Sequence, residues 1–126
     1  MWIRKGVKLI EESVGNGKPV ECQKNYLLAI RITLNHGDIV RYPEECLSQQ
    51  YDENLKVDDD GYFQHSVRID RENLVGGIFY AVRNMNIGGY RKVIVSPHLA
   101  YGEKGIPGII PPNAKLVVEI KVLEKV

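Results

Sequence analysis

The sequence has few cysteines, which could form disulfides or bind metals, and few large aromatic residues. Its 126 residues include two cysteines, one tryptophan and two phenylalanines. Cys22 and Cys46 have neither a C-x-x-C spacing nor partners at metal-ligand spacing, so we expect reduced thiols; pairing or ligand binding by them stays an alternative. The chain is long enough to bury a hydrophobic core without such help. We therefore expect one domain over residues 1–126.

Long runs of like charge and of apolar residues are missing as well. Seventeen basic and sixteen acidic residues leave a net charge of +1, and no stretch collects five like charges. This pattern excludes the electrostatic signature of a nucleic-acid or membrane-surface partner. No run of eighteen apolar residues occurs, and the N-terminus lacks the apolar segment of a secretory signal. We expect a cytoplasmic protein.

Metal-ligand spacing is also absent. His36, His65 and His98 are scattered, without a cysteine or carboxylate at ligand spacing, so we expect solvated histidines. The acidic stretch VDDDGY, residues 57–62, has the wrong residues at the first and twelfth positions of a calcium loop and predicts an acidic hairpin turn instead. The sequence predicts no metal and no cofactor.

Apolar residues alternate with period two in four stretches, which is the pattern of half-buried strands. It predicts strands at 26–34, 64–70, 90–96 and within 115–126. In the last of these, alternation predicts one face in the core and one in water. The core face would hold Leu116, Val118, Ile120 and Val122, and the water face Lys115, Glu119 and Lys121.

Such a sheet needs a cover for its apolar face. In residues 71–85, apolar residues recur at helical spacing, at Leu74, Ile78, Val82 and Met85. Gly76 and Gly77 weaken any helix that contains them, so we expect a short helix over about 76–84. Several antiparallel strands with one short helix against their inner face form an α+β fold.

A proline- and glycine-rich loop precedes the last strand. Prolines at 107, 111 and 112 fix φ, and glycines at 102, 105 and 108 permit positive φ, so we expect a stiff flap. Its isoleucines fit neither a strand nor a helix period. We expect some of Ile106, Ile109 and Ile110 to line a concavity between the flap and the sheet.

These residues carry a family resemblance. The stretch GGYRKVIVSPHLAYGEKGIPGIIPPNAKLVVEIKVLE, residues 88–124, resembles the C-terminal half of the FKBP-type peptidyl-prolyl isomerases. Two shorter matches precede it: residues 74–78 resemble the start of the family's helix, and residues 15–17 its early glycine turn. The resemblance implies an antiparallel half-barrel wrapped around a short helix, which agrees with the fold predicted from spacing. It also implies isomerisation of X–Pro bonds in proline-containing peptides or unfolded proteins.

The resemblance also assigns roles by motif position. It implies that the Tyr101 hydroxyl and the backbone N–H of Val75 meet carbonyl groups of a bound peptide. It further implies a substrate-binding set of Leu74, Ile78, Ile106, Ile109, Ile110, Val118, Ile30, Val40 and Arg41. From the residues alone, Tyr101 could equally be a core tyrosine whose hydroxyl caps a loop carbonyl, and Leu74, Ile78 and Val118 could be ordinary core positions.

The sequence departs from the family at several of these positions. Arg41 stands where the family has an acidic residue, and Ile30, Ile78 and Val118 stand where it has aromatic rings. Residues 41–65 are polar and do not match the family pattern. An alternative function is therefore a non-catalytic binding module, of the inhibitor, immunity or chaperone kind, which holds one protein partner through the pocket rim or through residues 41–65.

Overall fold

The computed structural model describes residues 1–35, 37–39, 58–106 and 110–126. It contains six strands and one α-helix in these ranges. They are β1 (Trp2–Arg4), β2 (Val7–Ser13), β3 (Asn25–Leu34), β4 (Tyr62–Arg68), α1 (Gly76–Val82), β5 (Tyr90–Val95) and β6 (Leu116–Lys125), and a 3-10 helix at Pro97–Leu99 follows β5.

The six strands form one antiparallel sheet in the order β1-β2-β5-β6-β3-β4. Helix α1 packs against β5 and β6 in the middle of the sheet and also touches β1 and β2. This arrangement confirms the predicted α+β fold. One hydrophobic cluster joins the helix to the apolar face of the sheet.

Strand pairing explains why the core is aliphatic at its centre. Val118 of β6 lies opposite Ile32 of β3 on one side and opposite Val93 of β5 on the other. All three side chains are fully buried. Residues opposite each other in antiparallel strands point to the same face, so these β-branched side chains form a continuous layer under the helix.

Sequence periodicity located the elements it covered but missed others. The strand predicted at 64–70 is Tyr62–Arg68, and the helix ends at Val82 instead of near 84. The helix stops because Arg83 has an extended ψ of 132° and Asn84 a positive φ of 70°. Strands β1 and β2 were not predicted, because most of their residues are exposed and the apolar alternation is lost there.

Gly77 sets the distance between α1 and β5. A Cβ atom built on Gly77 would overlap the Cγ1 atom of Val95. The glycine that weakens the helix by intrinsic propensity is therefore the residue that lets the helix lie close to the sheet.

His65 is buried, so the prediction of solvated histidines is wrong for this residue. It lies on β4 between Phe63 and Val67, on the inward face of the strand, and is only 9% exposed. Phe63, His65 and Val67 alternate with period two, so the face that buries Phe63 and Val67 also buries His65. His98 is exposed as expected, and His36 lies outside the described residues.

Glu119 is buried, so the prediction that it lies on a face in water is wrong. It is 6% exposed, forms an ion pair with Arg31 and accepts a 2.7 Å hydrogen bond from the Tyr90 hydroxyl. Burial alone would raise the pKa of Glu119, but the hydrogen bonds from Arg31 and Tyr90 outweigh burial and hold it below its ordinary value of 4.5. Burial and the bond to Glu119 raise the pKa of Tyr90 above its ordinary value of 10.0.

Three smaller sequence predictions concern turns, thiols and ligands. Residues 58–62 form a tight turn, in which Asp58 Oδ1 accepts 2.9 Å hydrogen bonds from the N–H groups of Asp60 and Tyr62. Cys22 is a free, exposed thiol, and Cys46 lies outside the described residues. The described part of the chain has no cluster of three His, Cys, Asp or Glu side chains that could hold a metal. No helix in that part is long and apolar enough to cross a membrane.

Replacing Gly77 with alanine tests the close contact between helix and sheet. Alanine is favoured over glycine in a helix by about 1 kcal/mol, but overpacking of a dense core destabilises by about 1–3 kcal/mol. We expect Gly77→Ala to lower the free energy of unfolding in urea. Val95→Ala removes the Cγ atoms at 2.2 and 2.8 Å and leaves only the Cβ atom of residue 95, at 3.0 Å, so in that background the same change is expected to destabilise less. Equal losses in both backgrounds would contradict the contact.

Glu119 makes a pH-dependent contribution to stability. A carboxylate whose pKa is lowered by folding stabilises the native state above its unfolded pKa of about 4.5, and the contribution is lost as pH falls through the folded pKa. Glu119→Gln is expected to lower the free energy of unfolding by about 2 kcal/mol at pH 7, because hydrogen bonds to a charged group are lost. The difference from wild type is expected to shrink below pH 4.5.

The raised pKa of Tyr90 predicts a second pH dependence of stability, on the alkaline side. The contribution of Tyr90 to the free energy of unfolding is present below pH 10 and is lost as pH rises further, since ionisation would bury a second negative charge beside Glu119.

Glu124 is an exposed glutamate on the same strand as Glu119, so Glu124→Gln is the matched control for Glu119→Gln. Equal destabilisation by the two substitutions, or a pH-independent effect at Glu119, would contradict this account.

Candidate functional site

Most of the residues predicted to form the site belong to one hydrophobic cluster. Five of them are fully buried in it: Ile30, Leu74, Ile78, Ile110 and Val118. Three others are half-buried and pack against it: Val75, Tyr101 and Ile106. They come from β3, the turn before α1, α1 itself, the loop after β5, and β6. The fold therefore gathers residues from distant parts of the sequence on one side of the sheet.

The remaining predicted residues are Ile109, Val40 and Arg41, which lie outside the described residues. The same holds for most of the polar stretch 41–65, of which only 58–65 is described. The roles assigned to these residues stay predictions.

Backbone hydrogen bonds hold the flap in place. Ile106 and Ile110 exchange two N–H to carbonyl hydrogen bonds of 2.8 Å each, and the Asn113 N–H donates to the Gly102 carbonyl at 2.9 Å. The φ values of Gly102 and Gly105 are 62° and 61°, as the sequence predicts. The chain passes so close to itself at Gly105 that a Cβ atom there would overlap the Ile110 carbonyl oxygen. The flap is thus a closed loop, which presents Ile106 at its edge and buries Ile110.

Tyr101 lies at the base of this loop. Its carbonyl accepts a 3.0 Å hydrogen bond from the Gly105 N–H, and the Pro97 carbonyl accepts a 2.8 Å bond from the Gly102 N–H. The residue is half-buried, and its hydroxyl oxygen is itself shielded from solvent. Backbone bonds therefore fix the main chain on both sides of Tyr101, and its side chain packs against the hydrophobic cluster.

Asp70 builds the turn that positions Leu74 and Val75. Its carboxylate oxygen Oδ1 accepts hydrogen bonds from the N–H of Glu72 at 3.1 Å, from the N–H of Asn73 at 2.8 Å and from Asn73 Nδ2 at 2.7 Å. Its carbonyl accepts a 3.1 Å bond from the Leu74 N–H. Burial raises the pKa of Asp70, but these bonds and the charge of Arg68 hold it below its ordinary value of 3.8.

Asp70 is not among the site residues predicted from the sequence. The signal was present, because Asp-x-x-Asn before a helix is typical of a side chain that caps its own turn. A buried aspartate, 6% exposed, with three donors around one oxygen is a structural anchor for the residues that follow it.

Val75 opens helix α1 with φ −56° and ψ 142°, an extended conformation. Its carbonyl accepts the 2.9 Å hydrogen bond from the Phe79 N–H. Its own N–H donates to no backbone oxygen within the ranges that the structure describes. This donor lies between Leu74 and Gly76, both buried, at the border of the hydrophobic cluster.

The described residues of the predicted site are aliphatic apart from Tyr101, but one further aromatic side chain is close by. Phe63 of β4 lies directly opposite Ile30 of β3 and is 2% exposed. The two side chains point to the same face of the sheet. Phe63 is not among the predicted site residues, although its alternation with Val67 places it on the inward face.

The arrangement suits one kind of chemistry. Aliphatic walls and a fixed tyrosine hydroxyl can exclude water and hold a planar amide. The described residues of the set include no serine, cysteine, histidine, lysine or carboxylate side chain. A site of this kind acts by binding and by desolvation.

The sequence resembles that of a known fungal protein. The chain is 28% identical to the FK506-binding protein 4 of Aspergillus fumigatus over 120 residues, which are 95% of this chain and 21% of that protein. The chain thus spans about a fifth of the length of this fungal relative.

Solved structures resemble the chain over most of its length. The crystal structure of FkpA from Escherichia coli matches with a TM-score of 0.67 and 25% identity, over 94% of this chain and 46% of that one. The crystal structure of AtFKBP13 matches with a TM-score of 0.73 and 20% identity, over 97% and 94% of the two chains, and at that identity shows the fold alone. Residues 32–123, well over half of the chain, match the FKBP-type peptidyl-prolyl cis-trans isomerases as a family. The chain belongs to the family of FKBP-type peptidyl-prolyl cis-trans isomerases.

Proposed function

We propose that this chain accelerates cis/trans isomerisation of X–Pro bonds in proline-containing peptides and unfolded proteins. The observation that carries the proposal is that Tyr101 and Val75, the two residues assigned polar contacts with the peptide, both pack half-buried against one apolar cluster. Family membership supports the reaction type.

The chemistry needs no covalent step. Rotation about the X–Pro bond crosses a barrier of about 18–20 kcal/mol, because the resonance of the planar amide must be broken. Moving the amide carbonyl out of water favours the twisted form, which has less charge separation than the planar one. A site that binds the twisted amide more tightly than either planar isomer lowers the barrier, and each 1.36 kcal/mol of that preference gives a tenfold rate increase.

Each described residue of the proposed site has its own role in binding the peptide. Ile78 and Val118 provide the floor on which the proline ring packs, and Ile106 and Ile110 of the flap provide a wall. The Val75 N–H donates to a peptide carbonyl and holds the backbone. The Tyr101 hydroxyl donates to a second carbonyl. The backbone bonds that close the flap keep this arrangement ready before the peptide arrives.

A second candidate function is a non-catalytic module that binds one protein partner through the same rim. The observation that favours it is the aliphatic lining at Ile30, Ile78 and Val118. Aliphatic side chains offer less flat contact area than rings, so they grip a proline less tightly. This candidate predicts binding of a proline segment without acceleration.

The test is exchange spectroscopy by NMR on a short Leu-Pro peptide, with native protein and with heat-denatured protein as the control. Acceleration by the native protein alone supports the isomerase. Absence of acceleration at protein concentrations that saturate peptide binding would exclude the isomerase and leave the binding module.

Tyr101→Phe tests the role of the hydroxyl. The substitution removes one oxygen and keeps the ring, so we expect the thermal unfolding midpoint to change little. We expect kcat/KM for the peptide to fall about five- to tenfold, the equivalent of one hydrogen bond of about 1 kcal/mol made in the transition state.

Tyr62→Phe is the matched control for this substitution. Tyr62 lies on the outer face, where its ring contacts Arg31 and Lys121, on the opposite side of the sheet from the hydrophobic cluster. Its loss of one hydroxyl is expected to leave the exchange rate unchanged. Equal rates for wild type and both variants would remove the Tyr101 hydroxyl from the mechanism.

A further inference from the structure

The arginines of the described residues fall into two groups. Arg31, Arg68 and Arg91 each form an ion pair with a carboxylate, to Glu119, Asp70 and Glu12 respectively. The other three arginines are exposed and form no ion pair with any carboxylate in the described ranges. They are Arg4, Arg71 and Arg83.

The second group converges on one ring. The guanidinium carbons of Arg4, Arg83 and Arg71 lie 3.8, 5.1 and 5.9 Å from the centroid of Tyr80. Arg83 also lies 5.8 Å from the ring of Phe79, which meets Tyr80 edge to face at 5.1 Å. We call this surface the arginine rim: Arg4, Arg71, Arg83 and Tyr80.

The arginine rim borders the proposed proline site. Arg71 Nη1 donates to the Leu74 carbonyl at 3.4 Å, and a Cβ atom at Gly76 would lie 2.9 Å from that same nitrogen. The guanidinium group therefore covers the backbone on both sides of Val75. A peptide that bound at Val75 would meet the arginine rim with the residues next to its proline.

Three like charges around one half-buried ring repel one another, and the ring face compensates only part of that repulsion. Each guanidinium keeps N–H donors that can form paired hydrogen bonds with a carboxylate. An anionic group placed among them would relieve the repulsion and gain these bonds. Neutral or basic segments would gain neither.

We propose that the arginine rim selects substrates, so that the site prefers prolines flanked by aspartate or glutamate in unfolded or extended protein segments. This proposal rests on the proposed isomerase site and specifies its substrate class. It takes the flanking carboxylates as the groups that occupy the rim, one or two residues from the proline.

The test compares three peptides that share a Leu-Pro core and differ in the flanking residues: glutamate, glutamine or lysine. We expect kcat/KM in NMR exchange to be at least about fivefold higher for the glutamate peptide than for the glutamine peptide, and lowest for the lysine peptide. The preference should weaken between 20 and 500 mM salt, because exposed charges are screened. Equal rates for the three peptides would overturn the proposal.

The double variant Arg4→Gln/Arg83→Gln is expected to remove the preference, so that its kcat/KM is the same for the glutamate and the glutamine peptide. Arg71 is kept, because it touches the Leu74 carbonyl. The matched control is Lys18→Gln/Lys24→Gln, two exposed lysines that change the net charge equally, from +1 to −1 by the loss of two charges. A preference that survives in the arginine variant, or is lost equally in the lysine variant, would contradict a specific rim.

Failure of the isomerase and failure of the rim can be told apart. If no peptide is accelerated, the dissociation constants from NMR titration still report the rim: tighter binding of the glutamate peptide, lost in the arginine variant only, supports it. Vesicles with phosphatidylserine and a short DNA duplex serve as competing anions. Arginine-dependent binding of either, with no difference among the peptides, would overturn the proposal in favour of a membrane or nucleic-acid surface.

Discussion

The structure depends on the close contact between helix α1 and strand β5 at Gly77. Without a Cβ atom at this position the helix can lie against Val95 and cover the middle of the sheet. Because the helix begins at Gly76, the same contact fixes where Leu74 and Val75 leave the turn built on Asp70 and where Ile78 enters the core. A helix held further out would separate Ile78 from Val118 and open the cluster to water.

The sheet keeps two different environments apart. Its inner face is aliphatic at the centre and carries the proposed proline site, whereas its outer face holds the buried network of Glu119, Arg31 and Tyr90. Outer-face charges stabilise strand pairing between β3, β5 and β6, since these three residues lie on the three strands. At the centre of the inner face the side chains of Ile32, Val93 and Val118 are apolar, which favours binding of an amide removed from water.

Sequence patterns predicted the parts of the fold that local periodicity controls. Strands β3 to β6 and helix α1 follow from apolar spacing, and the flap follows from its prolines and glycines. The family resemblance gathered the site residues that spacing alone left as ordinary core. Polar burial could not be predicted, because Glu119 and Arg31 are 88 positions apart and only the pairing of β3 with β6 brings them together. The arginine rim was missed for the same reason: Arg4 meets Tyr80 only in the folded protein.

The central claim is that a proline ring binds between the flap and helix α1. Its most direct test is NMR titration of ¹⁵N-labelled protein with a Leu-Pro peptide and with a matched Leu-Ala peptide. The account predicts proline-dependent shifts of the amides of Val75, Ile78, Tyr101 and Ile106, and smaller shifts with the alanine peptide. Identical shifts with both peptides, or shifts confined to the outer face around Glu119, would contradict it.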